Sequence, residues 1–288
     1  MEWTPDGSEQ DIEDRRDESG GGGFGGFGFG HLGIGGILIL GLLSLVFHQN
    51  FFALLSGGSA GSQGQVQSTP NPAQDRAEAR DAGLIKTVFH NIQNSWAVML
   101  PAQAHIPYRH ATLVLFRDST PSGCGLAQDA TGPFYCPQDE KVYLDLGFFD
   151  ELKRRFGGSN GDFAQSYVVA HEVGHHIQKL LGTEQRVRMA ESQQPGRANA
   201  LSVAVELQAD CYAGVWGNSA RDAFKLTRED IQDALSAAAA VGDDHLQRMA
   251  TGHVSPETFT HGTSAQRDEW FTRGYQSGEI AACNTFRR

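Results

Sequence analysis

Cysteine and basic residues are scarce in this sequence of 288 residues. Its four cysteines are too few for a fold held together mainly by disulfides, although they allow two bridges in an oxidising compartment. Lysine and arginine together number 23, against 34 acidic residues, which gives a net charge of −11. Because nucleic-acid binding depends on clustered basic side chains that contact phosphates, we expect no nucleic-acid partner.

The first 31 residues contain little that can form a hydrophobic core. Residues 1–20 are mostly charged or polar, and residues 21–30 read GGGFGGFGFG. Segments of this kind bury too little apolar surface to offset the entropy that is lost on ordering. We therefore predict a disordered, glycine-rich tail over residues 1–31.

Residues 32–55 form a long apolar run that is interrupted only by the polar segment His48–Asn50. Its 24 residues exceed the number needed to cross a bilayer as a helix, about 20. The glycines within the run destabilise a helix in water but are common in membrane helices. The run predicts a transmembrane anchor over 32–55, and a buried core helix is the alternative.

The basic residues on either side of this run predict its orientation. Arg15 and Arg16 precede it, and the next basic residue is Arg76. Since cytoplasmic flanks carry the excess of lysine and arginine, we expect a single-pass membrane protein whose folded part lies on the extracytoplasmic, periplasmic side. The Gly/Ser/Gln/Pro-rich residues 56–80 predict a flexible linker, which leaves one folded domain over 81–288.

Apolar periodicity predicts a helix, two strands and four further helices in this domain. The first helix covers Leu84–Leu100, and the strands lie within 111–118 and 141–149. The later helices are a histidine-containing helix capped by Asp162, a helix at Asn199–Trp216, one at 227–249 with a Thr227–Asp230 capping box, and one at 261–276 with a Thr263–Gln266 capping box. This order predicts an α+β fold in which a small sheet packs on helices.

The segment YVVAHEVGHHIQKLLG, residues 167–182, contains the pattern H-E-x-x-H. His171 and His175 are four residues apart, so both project from one side of a helix, and Glu172 lies beside them. In this pattern the two histidines bind zinc and the glutamate activates its water. The alternative is a polar, solvated helix face. The surrounding valines and leucines leave little room for one, and buried histidines need partners such as a metal.

A third zinc ligand is expected in VAVELQADCYAGVWG, residues 203–217. Glu206 is our candidate, because Asp210 lies one helical turn later and can accept a hydrogen bond from a zinc-bound imidazole. Glu184 and Glu191 are rival ligands, but they lie in a loop-like segment without such a partner. His176 is offset by about 100° from His175 and is expected to be a partly exposed neighbour.

Several blocks of the sequence resemble the bacterial neutral zinc metallopeptidase family, which is membrane-anchored. The blocks are VVAHEVGHHIQKLLG, ELQADCYAGVWG, GPFYCPQDEKVYLDLGFF and FTHGTSAQRDEWFTRGY. The resemblance covers about Leu84–Phe286 and most of the predicted anchor. H-E-x-x-H followed by E-x-x-x-D is also similar to the motif of the glutamate-ligand zincins, or gluzincins.

This resemblance implies a thermolysin-like zincin core with an N-terminal transmembrane helix. In such a core one zinc ion is bound by His171, His175 and Glu206, and Glu172 is the general base. The implied function is a membrane-tethered zinc endopeptidase with a protein or peptide substrate. A non-catalytic, membrane-anchored scaffold that retains the zincin fold is the alternative.

Two further features each have a predicted functional role and an alternative, structural one. His261, with Arg267 second, is a candidate donor to the oxyanion; a histidine that caps a helix or lies on the surface is the alternative. In the membrane-associated gluzincins that this block resembles, proline follows the histidine, whereas Gly262 does here. Lys141–Leu146 is either an edge strand on which substrate adds or an ordinary core strand.

The four cysteines allow three pairings. If the domain is extracytoplasmic, we expect Cys124 to pair with Cys136 across a short loop. Cys211 is then expected to pair with Cys283, which ties the C-terminus to the helix that contains Glu206.

Overall fold

The computed structural model describes residues 1–5, 7–18, 72–128 and 132–286, which form a mixed α/β fold. The strands described are β1 (Ile12–Asp14), β2 (Thr112–Phe116), β3 (Ser119–Ser122), β4 (Gly125–Gln128), β5 (Phe134–Cys136) and β6 (Lys141–Asp145). The helices described are α1 (Pro72–Ala104), α2 (Gly147–Phe156), α3 (Asp162–Leu180), α4 (Thr183–Gln193), α5 (Ala198–Ala220), α6 (Arg228–Ala240), α7 (Asp243–Thr251) and α8 (Ser264–Ser277).

Four of the strands form one sheet in the order β1-β2-β6-β5. The pairs β1–β2 and β2–β6 are parallel, and β5 is antiparallel to β6. Alternate residues face opposite sides, so Leu113 and Leu144 join the main core, whereas Val114 and Tyr143 pack in a smaller core with the β3–β4 hairpin. Because β6 has a neighbour on both sides, Lys141–Leu146 follows the core-strand alternative, and the edge-strand alternative is wrong. The edge on that side of the sheet is β5.

Helix α1 lies along the main core. Leu84, Val88, Ile92 and Trp96 are fully buried, as their four-residue spacing predicts. The helix begins at Pro72, inside the predicted linker 56–80. It also continues one turn past Pro101 to Ala104, because a proline this close to a helix end removes few hydrogen bonds.

Two helix crossings depend on glycine. A Cβ atom at Gly174 of α3 would lie 2.9 Å from the carbonyl oxygen of Ala209 in α5. A Cβ atom at Gly274 of α8 would lie 1.9 Å from the carbonyl oxygen of Cys211. Since both distances are shorter than any normal contact, α5 packs backbone to backbone against α3 and α8. Side chains on these three helices are thereby brought within hydrogen-bonding distance of one another.

The helix boundaries confirm two predicted capping boxes and revise three other predictions. Both boxes, Thr227–Asp230 and Thr263–Gln266, are present. The predicted helix 227–249 is divided into α6 and α7 at Gly242, where a Cβ atom would clash with the backbone of Ser264. The N-cap of α3 is Gly161 rather than Asp162. The loop-like segment after α3 contains α4.

The first 18 residues pack against the domain, apart from residue 6, which lies outside the described residues. Strand β1 pairs with β2, and the Trp3 indole N–H donates to Asp162 Oδ2 at 2.9 Å. Glu13 contacts Lys141 Nζ at 2.5 Å, and Arg16 pairs with Glu78. The predicted disordered tail over 1–31 is therefore wrong for these residues. They are ordered by ion pairs and strand pairing, which compensate for the small apolar area they bury.

The predicted transmembrane anchor over 32–55 lies outside the described residues. Among the residues that are described, no helix has both the length and the apolar character needed to cross a membrane. The fold class with an N-terminal transmembrane helix, and the single-pass localisation with an extracytoplasmic domain, are therefore wrong.

All four cysteines are paired, as Cys124–Cys136 and Cys211–Cys283. The first bridge joins the turn between β3 and β4 to the end of β5. The second bridge joins α5 to a short 3₁₀ helix, Ile280–Cys283, near the C-terminus. Both are the pairs expected from the sequence.

The α5–α8 crossing predicts that Gly274→Ala is destabilising. The added methyl group has no space beside Cys211, so we expect the free energy of unfolding to fall by about 2 kcal/mol. This corresponds to a melting temperature lower by roughly 4–8 °C for a domain of this size. Gly196→Ala is the control, because no atom lies within 4 Å of its Cβ position. Equal melting temperatures for the two variants would contradict the backbone contact.

Candidate metal centre

Two histidines of α3 and one glutamate of α5 face a common point. His171 Nε2 lies 3.2 Å from one carboxylate oxygen of Glu206, and His175 Nε2 lies 3.8 Å from the other. The candidate ligand atoms of the three residues all lie within 4.8 Å of one another. Within the part of the chain that the structure describes, this is the group of three side chains that can hold a metal ion.

The hydrogen bonds behind the two imidazoles fit a metal at this point. His171 Nδ1 lies 2.8 Å from Asp210 Oδ1, and His175 Nδ1 lies 2.9 Å from the Gln178 side-chain oxygen. Both oxygens are acceptors, so each Nδ1 donates a hydrogen and each Nε2 can present its lone pair to an ion. Two imidazoles and a carboxylate are a ligand set that zinc takes in hydrolytic sites. The identity and the orientation of these metal-ligand atoms therefore fit zinc.

Asp210 is a buried charge that is paired on all sides. Arg267 contacts both of its oxygens at 2.9 Å, and the Tyr167 hydroxyl donates to Oδ1 at 2.5 Å. Burial raises the pKa of Asp210, but Arg267 and His171 outweigh it and hold the pKa well below its usual range. The carboxylate is therefore ionised. Arg267, the second candidate oxyanion donor, lies behind His171 and is engaged with Asp210 instead.

The negatively charged carboxylates around His171 favour a bound cation. Burial lowers the pKa of His171, but Asp210 and Glu206 outweigh it and raise the pKa to about 10. Burial also raises the pKa of Glu206, whereas the neighbouring histidines lower it far below the usual value. The surplus negative charge thus retains a proton on His171, and a divalent cation would displace that proton on binding.

Glu172 is buried beside the ligands and contacts the edge strand β5. Its carboxylate lies near the backbone N–H of Tyr135, which lowers its pKa. Burial raises the pKa of Glu172, and His171 and His175 only partly offset this effect. Glu172 is not a member of the ligand group. Its pKa is higher than that of an exposed glutamate.

His176 is fully buried, so the prediction of a partly exposed residue is wrong. Its Nε2–H donates to the carbonyl oxygen of Arg109 at 2.6 Å, which leaves Nδ1 to accept from the Tyr135 hydroxyl at 2.9 Å. Strand β5 covers this side of α3. His176 consequently fixes β5 to the helix that contains the two candidate histidine ligands.

His261 lies in the loop before α8 and is held by Asp243. Its Nδ1 is 3.3 Å from Asp243 Oδ1, and its backbone N–H donates to Oδ2 at 2.6 Å. Burial lowers the pKa of His261, but Asp243 and Glu206 outweigh it and raise the pKa above its usual value. Because the charge of Glu206 contributes to this shift, His261 lies near the ligand group. Gly262 has a φ of +91°, which proline cannot adopt, so the residue after His261 has a conformational reason to be glycine.

The two rival ligands lie on α4. Glu184 pairs with Arg188 one turn along the same helix, and neither Glu184 nor Glu191 belongs to the metal group. Sequence reasoning missed Gln178, Tyr167 and Asp243. The first could have been found, since it lies three residues after His175 and therefore on the same helix face. Tyr167 likewise precedes His171 by four residues.

A family model described as "Putative neutral zinc metallopeptidase" matches residues 1–286. The chain belongs to this family. Protein YpfJ of Escherichia coli K12, described as uncharacterized, is 43% identical over 290 residues, which cover 99% of each chain. Protein Rv2575 of Mycobacterium tuberculosis H37Rv, also described as uncharacterized, is 45% identical over 207 residues, which cover 68% of each chain. No solved structure matches. The match confirms the family predicted from the sequence blocks.

The ligand geometry predicts that His175→Ala abolishes zinc binding. Removal of one imidazole should lower zinc affinity by more than the tenfold to hundredfold typical of changes behind a ligand. A zinc-dependent rise in melting temperature, expected for the unmodified protein, should then disappear. His253→Ala is the matched control, because His253 is exposed and follows the C-terminal end of α7, whereas His261 is held by Asp243 at the start of that helix. Equal zinc affinity in His175→Ala and the unmodified protein would exclude this site.

Proposed function

We propose that this protein is a zinc-dependent endopeptidase in which His171, His175 and Glu206 hold the ion. The supporting observation is that their candidate ligand atoms all lie within 4.8 Å of one another. Beside them is the buried Glu172, which is not one of the ligands. When bound, a zinc ion would lower the pKa of a coordinated water and polarise the scissile carbonyl. A purely structural zinc site would be closed by four protein ligands and would not require Glu172.

Glu172 is the proposed general base. Its carboxylate takes a proton from the attacking water and delivers it to the leaving amine nitrogen. A raised pKa suits both transfers, because the group must gain and then lose the proton near neutral pH. The backbone N–H of Tyr135, which lies near the carboxylate, favours its ionised form.

His261 is the proposed donor to the oxyanion. Asp243 accepts from Nδ1 and, with Glu206, raises the pKa of the imidazole. A protonated imidazole keeps a hydrogen on Nε2, which is the atom free to donate to the developing negative charge. Three backbone N–H groups of residues 260–262 also donate to Asp243. This loop is thus held in position before substrate binds.

Strand β5 is the proposed binding site for the peptide backbone. Phe134–Cys136 lies at the sheet edge, next to Glu172, and an extended peptide can add there as a further strand. The strand is fixed to α3 by His176 and by Lys179, which donates to the carbonyl oxygen of Pro137. Backbone pairing along a strand requires no free chain end, so it suits cleavage within a chain.

Glu172→Gln should abolish peptide hydrolysis and leave zinc affinity unchanged. Loss of a general base typically costs 10²–10⁴-fold in rate, whereas glutamine preserves shape. Hydrolysis would be followed with a library of quenched fluorescent peptides, and zinc affinity by competition with a chelator. Glu191→Gln is the control, since this residue lies on α4 outside the group. A zinc-loaded, unmodified protein that cleaves no peptide would favour the non-catalytic scaffold.

His261→Ala should lower kcat while KM and zinc affinity stay close to their original values. The removed donor acts only where negative charge develops, so we expect a loss of about 10²–10³-fold in kcat. The measurement is steady-state kinetics on one cleaved peptide, with His253→Ala beside it. An unchanged kcat would remove His261 from the mechanism.

A further inference from the structure

Residues 188–197, called the connecting segment below, join the second half of α4 to the start of α5. Eight of these ten residues are exposed and the other two are half-buried. The segment ends in a short 3₁₀ helix, Pro195–Arg197, and no atom lies within 4 Å of a Cβ position at Gly196. Among the described residues, the hydrogen bonds of the segment join residues three or four apart in the chain. The segment is therefore held by local bonds.

Helix α4 provides little packing to hold this segment in place. Its buried residues are Thr183 and Val187, both in its first half, whereas Met189 is 49% exposed. After Val187, the next buried side chain along the chain is that of Ala198, at the start of α5. A short helix without tertiary packing is only marginally stable in water, and regions with few buried contacts open at little cost in free energy. The connecting segment can therefore become extended while the rest of the domain stays folded.

An exposed segment that opens locally is the kind of chain that proteases cut. When extended, its ten residues span about 33 Å, which is much longer than the three residues of β5, the proposed binding site for a peptide backbone. The extended segment has the backbone donors and acceptors for this pairing, except at Pro195, which has no N–H. Burial of Val187 and Ala198 fixes both of its ends within its own domain. The segment therefore stays outside its own metal centre and is presented to a second copy of the chain.

We propose that residues 188–197 are a self-cleavage site, at which one copy of this chain hydrolyses a peptide bond of another. In this reaction the amide carbon–nitrogen bond breaks, the oxygen of a water molecule joins the carbonyl carbon, and one hydrogen of that water passes to the amine nitrogen. The inference rests on the proposed function, because it names a substrate of that same site. Since two copies must meet, the rate of the cut rises with the square of the protein concentration. Self-cleavage thus limits how much intact protein accumulates.

The position of the segment determines what the cut does to the metal centre. The two candidate histidine ligands precede the segment and Glu206 follows it, so the cut divides the ligands between two fragments. The bridges Cys124–Cys136 and Cys211–Cys283 each lie within one fragment. No disulfide therefore joins the two fragments, which are held together by non-covalent packing such as that of α3 on α5. We expect the cut protein to lose zinc when it is diluted.

Incubation of the zinc-loaded, unmodified protein with the full-length Glu172→Gln variant tests this inference. The variant lacks the proposed general base and therefore serves as substrate only; labelling it with nitrogen-15 distinguishes its fragments by mass. We expect the variant to be cut within residues 188–197 when the unmodified protein is present, and about 10²-fold more slowly or not at all when it is alone. The initial rate should rise with the square of the total concentration. Denaturing electrophoresis without a reducing agent should show two separate fragments.

Trypsin provides a measurement that does not depend on the proposed activity. It cuts after arginine, and the segment has Arg188 and Arg197 at its two ends. Arg273 is the matched comparison, because it is also exposed but lies on α8, which is held by the buried Phe271 and Gly274. In the folded Glu172→Gln variant, we expect trypsin to cut after Arg188 or Arg197 about tenfold faster than after Arg273, since a packed helix opens far less often.

The outcomes distinguish this inference from the proposed function. If the unmodified protein hydrolyses peptides but leaves the variant intact, or cuts it outside 188–197, the inference is overturned and the proposed function stands. Equal trypsin rates at the segment and at Arg273 would also overturn it, because the segment would then not open locally. So would a fraction cut per unit time that is independent of concentration, since the cut would then not need a second copy. If the unmodified protein hydrolyses no peptide at all, the proposed function fails and this inference fails with it.

Discussion

The buried carboxylate of Asp210 is the interaction on which the rest of the site depends. It bonds to His171 on α3, to Arg267 on α8 and to Tyr167 on α3, and it projects from α5. An ionised group with no exposure is stable only while its partners remain, and removal of one typically costs 3–5 kcal/mol. The ion pair therefore joins three helices and orients a candidate metal ligand at the same time.

This arrangement requires helices that approach more closely than side chains normally allow. Gly174 removes the side chain where α3 meets α5, and Gly274 does so where α8 meets α5. The short separation lets a carboxylate with only one methylene group reach an imidazole on the neighbouring helix. The site is thus a consequence of backbone packing, because the short separation of the helices brings its polar side chains within hydrogen-bonding distance.

Features with a local spacing could be predicted from the sequence, whereas features that depend on distant segments could not. The residues of the pairs His171–His175 and Glu206–Asp210 are each four apart, so the geometry of a single helix places both members of a pair on one side. The two capping boxes are likewise defined by a short spacing along the chain. By contrast, the Asp243–His261 pair joins a helix start to a loop. The prediction of a disordered tail failed because β1 gains its partners from strand β2, about 100 residues away. Likewise, the apolar alternation of β6 indicates buried faces but not how many strands adjoin it.

The two candidate histidine ligands differ in what lies behind them, and the difference has an electrostatic consequence. His171 is backed by a carboxylate whose charge Arg267 balances, whereas His175 is backed by the neutral amide of Gln178. Glu206 is then the one negative charge among the three ligands that has no fixed cation of its own. A divalent ion bound there would leave a net positive charge, which Glu172 and a developing oxyanion can share. A carboxylate in place of Gln178 would cancel that charge, so a neutral acceptor at this position orients His175 without weakening the electrostatic attraction of the centre for anions.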